Sequence, residues 1–266
     1  MNVSDLWPLS ARELGAMSGD GFAYRTLEKL ERHLYKKSIF CMGQSQEIVD
    51  YIKEHEAKEV YLFRNGVDPS RFTDVNIDGA KEPADKIRIV YAGLLGFAQG
   101  IAGICENVSF KDAGAEFHIY GAGGEQAAIE KYLKEHPDCS VFYHGKVSRD
   151  QIPVVLGQAD CTLIPLVKNI FGAVPSKIYE SMASGLPILF SGEGEGKRIV
   201  EENNLGWVSA PLDYKQLEAN IRHIASSKDD WEEKKLNCLD CAKNKYNRPR
   251  QVKALYDFMA SKLAAK

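Results

Sequence analysis

Short apolar runs and stretches of helical periodicity alternate along the chain from residue 86 onward. The apolar runs lie at 87–92, 116–120, 140–143, 160–165 and 187–190, and a weaker sixth run lies at 207–208. The stretches between them have the apolar spacing of helices, at 98–107, 124–135, 149–156, 175–183 and 195–202, and three closing helices follow at 213–226, 229–245 and 248–262. This alternation predicts an α/β fold with a doubly wound, Rossmann-like parallel sheet and right-handed crossovers.

The first 74 residues have a different pattern. A basic helix is predicted there from five apolar residues that share one of its faces: Phe22, Leu27, Leu30, Leu34 and Tyr35. Segments 39–43 and 60–63 are predicted strands, and a helix over 44–55 is predicted to begin near Ser45. No strand is predicted ahead of Trp7, and two strands are too few for a self-sufficient sheet.

These patterns divide the chain into four parts. We predict a partial, truncated N-terminal α/β segment (1–74), a polar linker with Gly and Pro (75–85), a Rossmann-like domain (86–246) and a C-terminal helix (247–266).

Chemistry-bearing residues cluster around one predicted helix start. Pro175 suits the first turn of a helix, Ser176 has a hydroxyl that can bond a free amide there, and Lys177 adds a positive charge. Glu180 follows about one turn later on the face of Ser176, and Gly185 is predicted to end the helix. Taken alone, the stretch is more typical of a helix with a solvated charged face than of a ligand site.

The topology selects between these interpretations. In a doubly wound sheet, ligands bind beyond the carboxyl ends of the strands, where consecutive strands part to opposite sides. The loop after the first strand contains Gly93, Gly96 and Gly100 and opens a helix, so its backbone amides can meet a phosphate. The loop after the next strand contains Gly121 and Gly123, which we expect to line the same cleft.

Composition narrows the classes of function. The 266 residues include 34 basic and 37 acidic ones, for a net charge of −3, so no basic excess points to nucleic acid. No apolar run approaches the roughly 20 residues that a membrane helix needs. Six scattered cysteines, including Cys238 and Cys241 in C-x-x-C spacing, fit reduced thiols in a cytoplasmic protein. No metal-ligand spacing and no catalytic triad is evident.

Several motifs, in order, resemble one enzyme family. The junction 64–72 resembles N-G-V-D-x-x-x-F, and the segments H-I-Y-G-A-G-G, F-Y-H-G-K-V-S and P-S-K-I-Y-E-S-M-A-S-G-L-P-I-L follow it. The sequence is similar to the second half of a retaining, group-4 glycosyltransferase of the GT-B fold, also known as the group 1 family. The resemblance covers residues 64–262. It implies a metal-independent transferase without a cofactor, which moves a sugar from a UDP- or GDP-sugar to a glycan or lipid-linked acceptor in polysaccharide biosynthesis.

The resemblance also implies roles for particular residues. Glu180 matches the second glutamate of the family's E-x7-E motif, which binds the ribose hydroxyls. Lys146 and Val147 match the loop that packs on the nucleobase, and Gly93 matches the glycine near the diphosphate. Ser176 and Lys177 match the helix start that meets the phosphates. The donor-site residues expected from the loops and the motifs together are Gly93, Gly96, Gly121, Gly123, Lys146, Val147, Ser176, Lys177 and Glu180.

The sequence departs from the family at three donor-site positions. Gly172 replaces the first glutamate of E-x7-E, and Leu94 and Gln99 replace the arginine and lysine that usually neutralise the diphosphate. We expect Lys177 to supply the missing charge. No catalytic residue can be assigned.

The short front of the sequence leaves alternatives open. The family's N-terminal, acceptor-binding domain is matched only by its last part, so we expect a partner chain that completes it, with at most peripheral contact at the inner membrane. One alternative is a non-catalytic nucleotide-sugar-binding module or a degenerate remnant. A third interpretation is a sugar-nucleotide epimerase on the same scaffold. It is less favoured, because the additional histidines and acids of such an enzyme are not evident in the sequence.

Overall fold

A computed structural model describes residues 1–13, 15–19, 21–73 and 86–264. The chain forms two compact units. The first consists of Met1–Gly66, Asn169–Val174 and Arg248–Lys266, and the second of Val67–Lys168 and Pro175–Asn247. The predicted linker over 75–85 lies outside the described residues. Among the helices that are described, none is long and apolar enough to cross a membrane.

The first unit contains a parallel sheet of three strands in the order β1-β2-β3: β1 (Asn2–Val3), β2 (Cys41–Gly43) and β3 (Val60–Leu62). The expectation of only two strands, with none ahead of Trp7, was therefore wrong. Strand β1 is two residues long, too short to produce a periodic signal in the sequence. The helices of this unit are α1 (Leu9–Glu13), α2 (Phe22–Lys37), α3 (Gln46–Glu54) and α12 (Arg248–Ala264).

Local chemistry explains where α3 begins. The Ser45 hydroxyl accepts a hydrogen bond from the Ile48 amide at 3.2 Å, which confirms the predicted helix start near Ser45. Ile48 and Ile52, one turn apart, are both fully buried against Cys41 of β2. The 3.6-residue period of the helix thus turns its apolar face onto the sheet.

Helix α12 packs within the first unit through one side. The Phe258 ring lies 5.1 Å from that of Phe40 and 4.6 Å from that of Tyr61, between ring centres. Lys262 forms an ion pair with Glu59. The neighbouring side of α12 carries a stripe of exposed apolar residues at heptad spacing: Val252, Tyr256, Met259 and Leu263.

The second unit contains a six-stranded parallel sheet in the order β6-β5-β4-β7-β8-β9. Its strands are β4 (Ile87–Leu94), β5 (Ala115–Ala122), β6 (Val141–Tyr143), β7 (Cys161–Pro165), β8 (Ile188–Ser191) and β9 (Gly206–Ser209). All neighbouring strands are parallel. The predicted doubly wound, Rossmann-like sheet is confirmed, with β4 and β7 at the point where the chain changes direction across the sheet.

The helices of this unit, apart from the unpredicted α4 (Ser70–Thr73), lie close to the predicted ranges. The others are α5 (Ile101–Asn107), α6 (Gln126–Glu135), α7 (Ile152–Gly157), α8 (Lys177–Ala183), α9 (Gly194–Glu202), α10 (Tyr214–Ser226) and α11 (Lys228–Asp240). A 3₁₀ turn at Arg149–Gln151 precedes α7, and a π-helical turn at Cys241–Lys245 follows α11. As predicted, Cys238 and Cys241 are free thiols in helical segments, and the structure shows that both are buried.

Alternation along the central strands builds two cores. Ile89 and Tyr91 of β4 face one large cluster with Phe117 of β5, whereas Val90 faces a smaller cluster with Leu156 of α7. Both faces of the sheet are therefore covered, which is typical of parallel sheets. Strands β4 and β5 pair along all eight residues of each, so Gly93 lies opposite Gly121 where both strands end.

Candidate functional site

A cavity of about 320 Å³ opens at the carboxyl ends of β4 and β5. It is lined by four of the predicted site residues and four others: Gly93, Gly121, Lys146 and Val147, with Leu94, Tyr120, Ala122 and Ile152. A larger depression, of about 500 Å³, lies elsewhere and is lined by Val108 and Pro137 among others. We favour the smaller cavity because it lies at the strand ends where such folds bind ligands.

Lys177 and Glu180 lie together next to this cavity. Both line a narrow crevice with Ala92 of β4 and Ile152. Ile152 also lines the 320 Å³ cavity. The predicted ammonium and carboxylate therefore lie in one crevice beside the end of β4.

The Lys177 side chain lies directly against that loop. Its Nζ lies 5.2 Å from the centre of the Tyr91 ring. A β-carbon on Gly93 would lie 2.5 Å from Lys177 Cε and 2.7 Å from Nζ, so only glycine leaves room for the lysine. Burial lowers the pKa of Lys177, and the nearby Glu180 carboxylate partly opposes that shift. The site thus contains a poorly solvated cation that a bound anion would stabilise.

The start of α8 differs from expectation. The helix begins at Lys177, two residues later than predicted, and the exposed Ser176 makes no side-chain cap bond. Its backbone is already helical, at φ −61° and ψ −23°, whereas a capping serine needs an extended backbone. The predicted Ser176 cap was therefore wrong. Gly185 follows the helix with φ +62° and confirms the predicted stop.

The helix after the Gly93 loop is also capped differently. The Ile101 amide at the start of α5 donates to Glu125 Oε2 at 2.8 Å, and Glu125 is 8% exposed. The Glu125 amide in turn donates to the Leu95 carbonyl at 3.0 Å. A protein carboxylate therefore already bonds the Ile101 amide, which we had expected to be open to phosphate.

We expect Glu125→Ala to lower the free energy of unfolding by about 1–2 kcal/mol, because it removes the acceptor at a helix start. Urea denaturation followed by circular dichroism measures this. Glu130→Ala is the control, because the Glu130 side chain is exposed on α6 and bonds only within that helix to Gln126. Equal midpoints for the two variants would show that the Glu125 bond contributes nothing.

Comparison with known proteins identifies the family. The model of the family "Glycosyl transferases group 1" matches residues 73–247. The chain belongs to this family.

Curated relatives and solved structures agree with that assignment. The chain is 28% identical over 222 residues to the "Probable glycosyltransferase WbjE" of Pseudomonas aeruginosa, covering 79% of this chain and 56% of that protein. It is 29% identical over 138 residues to the "Putative colanic acid biosynthesis glycosyl transferase WcaI" of Escherichia coli strain K12, covering 48% of this chain and 34% of that protein. The chain thus spans about half or less of the length of these curated relatives.

Two solved structures share the fold at low identity. Sucrose-phosphate synthase from Thermosynechococcus elongatus superimposes with a TM-score of 0.76 at 16% identity, covering 97% of this chain and 67% of that one. Anabaena Alr3699/HepE, determined in complex with UDP-glucose, gives a TM-score of 0.75 at 15% identity, covering 98% of this chain and 71% of that one. The predicted GT-B glycosyltransferase fold is confirmed.

One departure from the glycosyltransferase motif has a local structural reason. Gly172 has φ +80°, and a β-carbon there would lie 2.6 Å from Ile48 Cγ1 within the first unit. Its amide donates to Glu47 Oε2 at 2.7 Å. A glutamate at this position would meet both backbone strain and a steric clash.

The structure locates the remaining predicted residues and adds new ones. Gly96, Gly123 and Ser176 are not in the lining of either cavity. Tyr91, Tyr120 and Glu125 were not singled out from the sequence, although period-two alternation along β5 places Tyr120 on the face of His118.

Proposed function

We propose that the second unit binds the nucleoside diphosphate of a sugar donor and that the chain acts in a glycosyltransferase of polysaccharide biosynthesis. The position of Lys177 carries the proposal. Its ammonium lies against Gly93 and shares a crevice with Glu180, next to a cavity lined by Lys146 and Val147. Family membership makes a donor sugar the natural ligand for such an arrangement.

Each group has a chemical role in this proposal. Glu180 accepts hydrogen bonds from the two ribose hydroxyls, for which a carboxylate has enough lone pairs. Lys146, Val147 and Tyr120 form the wall beside the nucleobase. Lys177 and the strand-end amides at Gly93 meet the diphosphate, with Gly96, Gly123 and Ser176 around it. As the bond from sugar to phosphate breaks, charge grows on the phosphate oxygens, and a fixed ammonium stabilises that charge.

The finer assignment follows the family pattern. We propose a UDP- or GDP-sugar as donor, transfer with retention at the anomeric carbon, and no requirement for a metal or cofactor. WcaI carries the name of a polysaccharide-building enzyme, and HepE was determined with a UDP-sugar.

The acceptor side of the reaction is proposed on different grounds. A glycan or lipid-linked acceptor has to be held against the donor in a closed cleft. The chain spans 56% of the length of its relative WbjE. We propose that polypeptide outside the two described units completes the acceptor side, and a partner chain is one candidate for it. We also propose a cytoplasmic location with peripheral contact at the inner membrane.

A second candidate function is a non-catalytic nucleotide-sugar-binding module. Leu94 favours a binding module. Its side chain is 65% exposed at the cavity, and the family motif has a cation at this position. A binder and an enzyme share the donor cavity, and only turnover separates them.

Thermal-shift and calorimetric screening with UDP-glucose, GDP-mannose and ADP-glucose tests donor binding. We expect one nucleotide class to stabilise the chain, by roughly 2.7 kcal/mol at a concentration 100 times the dissociation constant, and we expect Glu180→Gln to abolish the shift. Binding by none of the three would overturn the proposal. Release of free sugar or transfer to an acceptor in the presence of EDTA, with the product anomer read by NMR, separates a metal-independent retaining enzyme from a binder.

A further inference from the structure

A row of aromatic and ionisable side chains lies beside the proposed nucleobase wall. Alternation along β5 places Glu116, His118 and Tyr120 on one face of the sheet. His144, which follows the last residue of β6, lies next to them.

The two histidines are bonded to each other. His118 Nδ1 lies 2.9 Å from His144 Nε2, and the two rings are nearly parallel, at 6°. His118 is 9% exposed and its Nε2 lies 3.4 Å from Glu116 Oε2. The His144 ring stacks on Tyr120, with ring centres 4.4 Å apart and an angle of 12° between the planes. The buried His118 therefore orients His144, and His144 supports Tyr120.

This row leads directly to the cavity. Tyr120 lines it, and so does Lys146, two residues after His144. The Gly121 amide donates to the Gly145 carbonyl at 2.8 Å, which ties the loop after His144 to the end of β5. A change in the His144 ring would thus reach the wall through Tyr120 on one side and through the loop to Lys146 on the other.

The bond between the histidines depends on their protonation. One ring nitrogen must carry the hydrogen and the other must be bare, so the bond survives one extra proton and is lost when both rings are charged. Burial lowers the pKa of His118 and of His144, and the guanidinium of Arg88 on β4 lowers both further. Glu116 opposes the shift at His118. Helix α7, which covers this face, has no ionisable side chain. The second proton is therefore taken up only in acid solution.

We propose that His118 and His144 are positioning residues, which hold Tyr120 and the Lys146 loop in the arrangement that binds the donor nucleotide and release them when both rings are protonated. This inference rests on the proposed function of the cavity. It assigns a role to two residues that do not line the cavity themselves, and it gives donor binding a dependence on pH.

Calorimetry with the nucleotide sugar that binds best in the screen tests this inference at pH 7.5 and at a pH below the second imidazole midpoint, which NMR titration of the ligand-free chain gives. Nucleotide sugars are the correct probe, because their diphosphate diester gains no proton in this range. We expect the wild-type chain to bind roughly three- to tenfold more weakly at the lower pH, which is the loss of about one hydrogen bond.

Two variants at one position separate bonding from packing. Asparagine can bond His144 from the position of Nδ1 without becoming charged, so His118→Asn should bind like the wild type at pH 7.5 and lose the pH dependence. Phenylalanine cannot form the bond, so His118→Phe should bind three- to tenfold more weakly at both pH values. The control is His136→Gln, because His136 stacks on Tyr132 in the same way, at 4.3 Å, but neither residue lines the cavity. It should behave as the wild type throughout.

The outcomes separate this inference from the function on which it rests. NMR titration of the ligand-free chain should show the amides of Gly121 and Lys146 shifting with the midpoints of the two imidazoles. Nucleotide binding that does not change with pH, or amides that do not move as the histidines titrate, would overturn the positioning role and leave the proposed function intact. Failure of every nucleotide sugar to bind at pH 7.5 would overturn the proposed function and this inference with it.

Discussion

Replacing Lys177 by methionine is expected to weaken binding of the donor nucleotide by about 10- to 100-fold. Methionine keeps the length of the side chain and its packing against Tyr91 and Gly93, and it removes only the charge. Hydrogen bonds to charged groups contribute about 1.5–3 kcal/mol. Leu94 and Gln99 are uncharged where the family motif carries cations, so we assign this charge to Lys177. Calorimetry with the best-binding nucleoside diphosphate measures the loss.

The matched control is Lys197→Met. Lys197 is a half-buried lysine on α9 of the same unit, paired with Glu201 one turn away. Its replacement lowers the net charge equally, and it does not line the cavity. An affinity for Lys177→Met equal to that of Lys197→Met would mean that long-range charge alone acts on the ligand.

The titration of Lys177 adds a test by pH. Since burial lowers the pKa of its ammonium, the charge is lost at a lower pH than for an exposed lysine. We expect donor affinity to fall as pH rises through that lowered pKa, and the Lys177→Met variant to show no such fall. If the donor affinity of the wild-type chain stays constant as pH rises into the ordinary range of lysine titration, this charge has no role in binding.

The parts of the fold that the sequence predicted are those that depend on local pattern. Parallel strands covered on both faces are continuous apolar runs, so β4 through β8 were placed within two residues of their observed bounds. The change of direction between β4 and β7 then follows from topology alone. For the same reason the sequence placed the Gly93 loop and Lys177 at one edge of the sheet.

The features that the sequence did not predict depend on contacts between residues that are far apart in the chain. Glu125 lies 24 positions after the amide that it bonds, and His118 lies 26 positions before His144. No periodicity encodes such pairs, because they are set by strand register and by the path of each loop. Ser176 shows the same limit, since its residue type favours a cap and its backbone angles in the folded chain prevent one.

Gly121→Ala is expected to destabilise the second unit by about 3 kcal/mol or more, with loss of donor binding. A β-carbon at Gly121 would lie 1.9 Å from the Gly93 carbonyl oxygen. The oxygen is a backbone atom, and the position of a β-carbon is fixed by its own backbone, so no side-chain rotation relieves the clash. Strands β4 and β5 would have to separate at their carboxyl ends. Overpacking of this kind typically costs 1–3 kcal/mol even where side chains can move, and Gly121 is at φ +158°, a value that other residues rarely adopt.

Gly114→Ala is the control that separates the cost of the steric clash from the cost of a positive φ. Gly114 has φ +74° and its β-carbon would meet only Ala225, at an ordinary 3.8 Å, so this substitution should cost about 1–2 kcal/mol for the left-handed conformation alone. Urea unfolding of both variants, with nucleotide calorimetry on whatever remains folded, gives the difference. The proposed diphosphate site requires β4 and β5 to end side by side. If the Gly121→Ala chain is as stable as Gly114→Ala and still binds the donor, the close approach of Gly93 and Gly121 does not shape the site.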